Sequence, residues 1–269
     1  MDAILQDVSA PALTTAAESN LAEEMAAFGR YLPAAELHED PETQWIITPL
    51  FNAVLRTSIV TGNIEARIDE ILAHFRTRHV SSIGWSVSPS TRPSNLATYL
   101  QARGLTLVEK QSVMAANLQA LREDITAPLN FRIEEVSNQE MLEQYGRVSM
   151  RGFGSTAEHV KYYYTVYVNA GFGKRRSWHH YLGRLNQEPA AVSSLLLHAG
   201  VAGIYGVATI PEARRQGIGA AMTLAALREA RRLGYRVGIL TPSEMGLGIY
   251  QRLGFREYYI THIYAGSLL

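Results

Sequence analysis

The spacing of hydrophobic residues predicts that helices and strands alternate along the chain. Residues 62–79 carry one apolar stripe at helical spacing, made of Ile64, Ile68, Ile71, Leu72 and Phe75. Residues 43–59, 81–89 and 106–118 are strand-like, and a short helix that ends at Gly104 lies between the last two. The first 35 residues are rich in Ala, Ser, Thr and Glu, which is typical of a frayed or surface helix.

A second series of elements follows a connector at 121–130 that contains Pro128. Strands are expected over 131–136, 178–186, 189–200, 201–210, 235–241 and 255–266, and helices over 137–153, 158–171, 217–233 and 243–254. This order predicts an α/β or mixed α+β fold with a largely central sheet.

The two series resemble each other. Placing Gly104 on Gly254 aligns 94–105 (SNLATYLQARGL) with 244–255 (EMGLGIYQRLGF), and a strand and a helix of similar size precede both segments. Short helices that end at glycine are common, so unrelated segments are the alternative. Because the order of elements also matches, we favour a duplication with domains at 1–128 and 129–269.

The net charge of zero divides unevenly between the two halves. Nine basic and fifteen acidic residues precede Asn130, a net of −6, which leaves +6 for the remainder. Neutrality argues against a nucleic-acid surface, and the basic half becomes the candidate for an anionic ligand, with chance scatter as the alternative. The absence of cysteine excludes thiolate metal sites and cysteine nucleophiles. No leader or membrane-spanning pattern is recognisable, so we expect a cytoplasmic protein without membrane partners.

The segment Arg214-Arg215-Gln216-Gly217-Ile218-Gly219 joins a predicted strand to a long helix. Gly217 and Gly219 let a ligand approach the backbone, and the first helical turn leaves N–H groups without intrahelical partners. Together with the helix dipole these donors favour a phosphate group. Further basic residues that supply charge are Arg228, Arg231 and Arg232. A tight turn without any ligand is the alternative.

The sequence does not match two other phosphate-binding loop motifs. No Gly-Lys-Ser/Thr triplet is present, as a Walker loop requires. A dinucleotide-binding fingerprint needs a third glycine at the position of Met222. That fingerprint also follows the first strand of its fold, whereas this loop follows one of the last predicted strands.

The segment resembles motif A of the GCN5-related N-acetyltransferase (GNAT) superfamily, R/Q-x-x-G-x-G/A. Residues 249–255 (IYQRLGF) resemble the last motif of the family, and the likeness covers about 130–269. It implies the fold of the family, a mixed α/β fold with a central, twisted, mostly antiparallel sheet flanked by helices. It implies that acetyl-CoA is bound, with the pyrophosphate at Gln216, Gly217, Ile218, Gly219 and Ala220. It also implies that Val207, Ala208 and Thr209 bind the pantetheine arm, with Arg214 and Arg215 beside the loop.

The resemblance makes Tyr250 the general acid that protonates the departing thiolate, against the alternative of an aromatic residue packed on the sheet. The family often has Asn where Ser243 stands. Ser243 is expected to cap the helix, while its contact with the cofactor is in doubt. No metal is expected.

A general base is not evident, because the strand 201–210 contains no acid. The candidates are His179, His180 and His198, or a water path lined by Tyr205 and Ser193. His179 and His180 are adjacent on a strand and must face opposite sides. The resemblance places the acceptor pocket at the first two helices and the facing strands, with Phe153, Tyr164, Trp178, His180 and Tyr205 as candidates together with Met150, Tyr162, Tyr163 and Tyr167. Each of these is individually more typical of core packing.

The N-terminal half lacks the cofactor motifs, since its loop has a single Gly62 and Leu100 stands in the place of Tyr250. We therefore expect a degenerate copy beside a catalytic domain that acetylates a small-molecule amine. The alternatives are a non-catalytic acyl-CoA-binding or sensing module and the transfer of another acyl group. A homodimer remains open.

Overall fold

The helices and strands follow one another largely in the expected order. The computed structural model of the protein describes residues 3–6, 9–60, 62–172 and 176–268. The helices are α1 (Ala10–Tyr31), α2 (Ile64–Thr77), α3 (Leu96–Gln101), α4 (Gln139–Phe153), α5 (Ala157–Ala170), α6 (Ile218–Arg232) and α7 (Glu244–Leu253). None of them, within the described part of the chain, has the length and hydropathy that a membrane span requires.

The strands of the first half are β1 (Glu36–Glu39), β2 (Thr43–Ile47), β3 (Asn52–Thr57), β4 (Ser82–Val87) and β5 (Thr106–Asn117). Those of the second half are β6 (Phe131–Glu135), β7 (Trp178–Leu185), β8 (Glu188–His198), β9 (Val201–Thr209), β10 (Val237–Leu240) and β11 (Arg256–Ser267). Most of the paired strands are antiparallel, which confirms the predicted mixed fold.

The first of two compact units consists of Met1–Leu21 and Val113–Tyr258. Its sheet has the order β5, β10, β9, β8, β7, β6. Two neighbouring serines of β8 show how helices cover it: Ser193 Oγ lies 3.4 Å from the carbonyl oxygen of Met222 in α6, and Ser194 Oγ lies 2.8 Å from Tyr145 Oη in α4. Because consecutive strand residues face opposite sides, α4 and α6 cover opposite faces of the sheet.

The second unit consists of Ala22–Ser112 and Tyr259–Leu269. Its sheet has the order β1, β2, β3, β4, β11, in which β3 and β4 are parallel. The apolar stripe predicted for α2 is confirmed by four buried residues, Ile68, Ile71, Leu72 and Phe75. They pack in one core with Trp85 of β4 and Leu100 of α3.

The compact units divide the chain differently from the predicted boundary between 128 and 129. β5 follows α3 in the chain but pairs with β10, and β11 follows α7 but pairs with β4. The last strand of each half therefore completes the sheet of the unit that the other half builds. A hydrophobic pattern specifies that a segment is a strand without specifying its neighbour, so the exchange could not be predicted from it.

Both units share a parallel crossover of the same form. β3, α2 and β4 are joined in this order, as are β9, α6 and β10, and in each case the two strands pair over only two residues. The common topology supports the predicted duplication.

Two local expectations were wrong. Helix α1 is neither frayed nor superficial, because Ala17, Ala26 and Ala27 are completely buried, and small alanine side chains let a helix pack closely. The segment 43–59 forms two strands, β2 and β3, because Thr48 Oγ1 accepts hydrogen bonds from the amides of Leu50 and Phe51 and turns the chain. The short edge strand β1 was not predicted.

Candidate functional site

β9 and β10 separate after a short stretch of parallel pairing. Only Ala202 with Gly238 and Gly203 with Ile239 are in register, whereas β9 continues to Thr209. The other edge of β9 pairs with β8 as far as Thr209. The second half of β9 therefore presents one backbone edge to an opening between the strands, which is the edge predicted to bind the pantetheine arm through Val207, Ala208 and Thr209.

The opening leads to the N-terminus of α6. Gly217 caps this helix in the left-handed conformation, with φ of 78°, and no side chain accepts a hydrogen bond there. The first helical hydrogen bond runs from the Ala221 amide to the Gly217 carbonyl at 3.0 Å. The amides of Ile218, Gly219 and Ala220 consequently lack intrahelical acceptors at the positive end of the helix dipole, which is the arrangement that binds anions.

The arginines around this loop differ in their availability. Arg214 donates to the carbonyl oxygens of Thr209 at 3.1 Å and Gly152 at 2.7 Å, so it holds the loop to α4. Arg215 and Gln216 are exposed, and Arg215 has a φ of 61°. The three further arginines form ion pairs in this structure, because Arg228 and Arg231 pair with Glu123, and Arg232 pairs with Glu229, so their contact with phosphate stays a prediction.

The connector runs to the same helix end, which the sequence did not indicate. A Cβ at position 217 would overlap the carbonyl oxygen of Thr126, so only glycine admits the connector here. Ile125 and Ala127 pack against the core of the first unit. The one available signal was the presence of apolar residues, among them Ile125 and Ala127, in a segment expected to be a connector.

Tyr250 of α7 packs beside Phe255, with ring centroids 6.1 Å apart. Burial raises the pKa of the Tyr250 hydroxyl, and a hydrogen bond with Thr223 of α6 opposes part of this effect. Ser243 caps α7 as expected, since its Oγ accepts a hydrogen bond from the Gly246 amide at 3.2 Å.

Three parts of the site converge around Gly219. A Cβ at this position would lie 3.8 Å from Thr209 Oγ1 of β9 and 4.0 Å from the Ile249 side chain of α7. The end of β9, the start of α6 and α7 therefore meet at one place, although they are up to forty residues apart in the chain.

Three of the predicted acceptor residues come together on the α4 face of the sheet. The ring centroids of Trp178 and His180 lie 5.7 Å apart, and those of Trp178 and Tyr205 lie 6.0 Å apart. Tyr145 and Tyr167 complete this cluster. Because Trp178 and His180 are buried, they pack within the core of the unit, and their contact with an acceptor stays a prediction.

The other two acceptor candidates lie apart from the cluster. Phe153 is exposed at the end of α4, and the Tyr164 hydroxyl is buried without a hydrogen-bond partner among the described residues. No ring contact within the described part of the chain joins either residue to the cluster around His180.

The candidate bases are engaged elsewhere. His179 Nδ1 lies 2.8 Å from Glu135 Oε1, and His198 Nε2 lies 3.5 Å from Ser19 Oγ. Burial lowers the pKa of His180 to about 3, so this imidazole is neutral and a poor proton acceptor at neutral pH.

The two residues predicted to line a water path have different partners, and the path stays a prediction. Tyr205 Oη donates to Asn20 of α1 at 2.7 Å, whereas Ser193 Oγ bonds to α6, so their polar groups contact different elements. The described residues contain no group of three His, Cys, Asp or Glu side chains that would hold a metal ion.

Known proteins resemble both the site and the fold. A family model described as an acetyltransferase (GNAT) domain matches residues 198–258, a range that contains the α6 loop and Tyr250. A GCN5-related N-acetyltransferase from Kribbella flavida has a TM-score of 0.70 at 18% identity, over 97% of this chain and 96% of that chain. No curated protein matches the sequence.

Two further solved structures extend over nearly the whole chain. A tandem GNAT protein from the clavulanic acid biosynthesis pathway has a TM-score of 0.67 at 14% identity, over 100% of this chain and 97% of that chain. A GCN5-related N-acetyltransferase from Sphaerobacter thermophilus has a TM-score of 0.64 at 15% identity, over 96% of this chain and 92% of that chain. At these identities the likeness establishes the fold alone.

The fold and the loop at α6 define a protein of the GNAT fold. The resemblance seen in the sequence is confirmed: residues 198–258 match the model of a GNAT acetyltransferase domain, and the chain shares its fold with a tandem GNAT protein over its full length.

Proposed function

We propose that this protein is an acetyl-CoA-dependent N-acetyltransferase that acts on the amine of a small molecule. One observation carries the proposal: the edge of β9 that separates from β10 ends beside a helix N-terminus whose first amides lack intrahelical acceptors, and Tyr250 lies on the neighbouring helix α7. A phosphate-containing ligand with an extended, amide-rich arm fits both parts at once.

The residues present fit acetyl-CoA. The backbone from Gln216 to Ala220 would hold the pyrophosphate, and the edge of β9 that has separated from β10, at Val207–Thr209, would bind the amides of the pantetheine arm. Arg214 would keep the loop in place through its two carbonyl contacts, and Arg215 would add charge at the surface. When bound, acetyl-CoA supplies an acetyl group activated as a thioester.

Tyr250 would act as the proton donor of the reaction. A departing thiolate is best protonated as it leaves, and a general acid must still carry its proton at the working pH. Because burial raises the pKa of Tyr250, its hydroxyl stays protonated at neutral pH.

The second unit would not bind the cofactor, because its corresponding features are filled by the chain itself. The Arg92 amide donates to the Thr57 carbonyl at 3.1 Å, and the Ile59 amide donates to the Arg92 carbonyl at 2.9 Å. At the start of α2, Asn63 Oδ1 accepts the hydrogen bond of the Ala66 amide at 3.1 Å, whereas Gly217 offers α6 no such side chain. We therefore propose one cofactor site per chain and a degenerate copy in the N-terminal half.

The test is a transfer screen with acetyl-CoA over amino acids, polyamines, aminophosphonates and amine antibiotics, in which the released thiol is measured. We expect thiol release that depends on both the amine and acetyl-CoA. Binding of acetyl-CoA without transfer to any amine would favour the non-catalytic binding module. Transfer from another acyl-CoA alone would show that the donor is not acetyl-CoA. A cytoplasmic location and a homodimer stay predictions.

A further inference from the structure

A bulge interrupts β9 beside the proposed cofactor edge. Val192 is opposite Ala208 and Ser194 is opposite Tyr205, so Ser193 alone faces Gly206 and Val207. Gly206 has a φ of 58°, in the left-handed region that favours glycine. A bulge of this kind turns the backbone that follows it, here Val207 at the start of the proposed pantetheine edge.

A buried hydroxyl lies directly over the bulge. A Cβ at position 206 would be 3.1 Å from Tyr145 Oη of α4. The same hydroxyl lies 2.8 Å from Ser194 Oγ, and Ser194 Oγ lies 2.7 Å from His180 Nδ1. The bulge is therefore in contact with one end of a hydrogen-bonded chain that runs from α4 through β8 to β7.

The sheet register reinforces this chain of contacts. His180 is the cross-strand partner of Ser194, and Ser194 is the partner of Tyr205, the residue before the bulge. All three polar groups of the chain are buried, and Tyr167 lies against His180 with ring centroids 4.0 Å apart. A buried serine hydroxyl has one proton and accepts further bonds, so Ser194 can bond to both neighbours, and the loss of either bond removes a buried polar contact at a cost in free energy.

We infer that Tyr145, Ser194 and His180 form a positioning network that fixes the bulge at Gly206 and thereby orients the backbone of Val207–Thr209. The inference rests on the proposed function for its catalytic consequence. The three residues are positioning residues, because their polar groups are buried and contact one another.

Tyr145→Phe tests the network, with Tyr181→Phe as the matched control. Tyr181 is also a buried tyrosine of this unit, but its hydroxyl has no hydrogen-bond partner among the described residues. In Tyr145→Phe we expect hydrogen exchange at the Gly206 and Val207 amides, followed by NMR, to accelerate about tenfold because a buried hydrogen bond is lost. Exchange in Tyr181→Phe should match the parent protein.

The kinetic readout is a split between kcat and KM in the acetyl-transfer assay. Tyr145→Phe should lower kcat by about tenfold or more, because the bulge no longer holds the reacting groups in place, while KM for acetyl-CoA changes less than about threefold. Ser194→Ala, which removes the central hydroxyl of the network, should show the same split and provides a second test if Tyr145→Phe does not fold.

Unchanged exchange at Gly206 and Val207 in both Tyr145→Phe and Ser194→Ala would overturn the inference, as would equal effects of Tyr145→Phe and Tyr181→Phe. If no amine is acetylated by the parent protein, the proposed function fails, yet the exchange measurement still decides whether the network holds the bulge.

Discussion

Tyr250 and Glu24 show opposite uses of burial at the scale of single residues. Burial raises the pKa of both groups. For a tyrosine this preserves the proton that a general acid needs at neutral pH. A buried carboxyl group binds its proton more tightly in the folded state than in the unfolded state, so the folded protein loses stability as the pH rises.

Tyr250→Phe should lower kcat by about 100-fold, because the general acid is lost while the ring still packs beside Phe255. The affinity for CoA and the melting temperature should stay close to those of the parent protein. Tyr181→Phe, which removes a buried hydroxyl without a hydrogen-bond partner among the described residues, is the control and should retain full activity. Full activity of Tyr250→Phe would exclude Tyr250 as the acid.

Glu24→Gln should change how stability depends on pH. Burial raises the pKa of Glu24 to about 7 in the folded protein, from a usual value near 4.5. The folded state therefore holds this proton more tightly than the unfolded state, and stability falls as the pH rises through this interval. The variant should match the parent protein below about pH 4.5 and exceed it by up to ~3 kcal/mol at pH 8.

Melting curves from pH 4 to 8 check this expectation. The control is Glu23→Gln, one residue before Glu24 on α1, which removes the carboxylate that pairs with Arg30. It should show no gain in stability that grows with pH. A parallel pH dependence of Glu24→Gln and the parent protein would contradict the assignment.

At the scale of elements, local signals predicted helices well. Asn138, Thr156 and Ser243 each cap a helix through a side-chain hydrogen bond. Of these, Ser243 is expected from the sequence to cap its helix. The cofactor loop was equally visible, because its residues are contiguous. The network on Ser194 could not be predicted, because it joins three elements through the register of β7, β8 and β9.

The connector between the halves is attached to α6 by Glu123. This carboxylate accepts hydrogen bonds from Arg228 at 2.7 and 2.9 Å, and Arg231 lies 2.7 Å from it. Glu123→Gln should accelerate hydrogen exchange over residues 121–127 with little loss of global stability, since exposed ion pairs contribute at most about 1 kcal/mol. Glu229→Gln, which breaks the pair with Arg232, should leave this exchange unchanged. Equal exchange in the two variants would show that Glu123 does not hold the connector.

At the scale of the whole molecule, the exchanged strands explain why the predicted boundary misses the compact units. Met114, Ala116 and Leu118 belong to the core of the first unit, although they precede the connector. Tyr264 and Leu268 belong to the core of the second unit, although they end the chain. Composition and repeats identify two halves, but long-range strand pairing decides which segments pack together.

Separate expression of 1–128 and 129–269 should therefore yield fragments without a cooperative melt, because each lacks part of its core. Co-expression of the two fragments should restore one cooperative transition. The measurement is thermal unfolding followed by near-ultraviolet circular dichroism. A stable, CoA-binding 129–269 fragment would contradict this account of the units.

Calorimetric titration with CoA tests the central claim, one cofactor site at the N-terminus of α6, most directly. The matched variants are Gly217→Ala, in which a Cβ would overlap Thr126, and Gly62→Ala before α2, in which a Cβ meets nothing within 4 Å. Both glycines have positive φ, so the backbone strain is comparable. We predict one CoA per chain for the parent protein and Gly62→Ala, and weakened or absent binding for Gly217→Ala. Two sites per chain, no binding to the parent protein, or unaltered binding to Gly217→Ala would contradict the account.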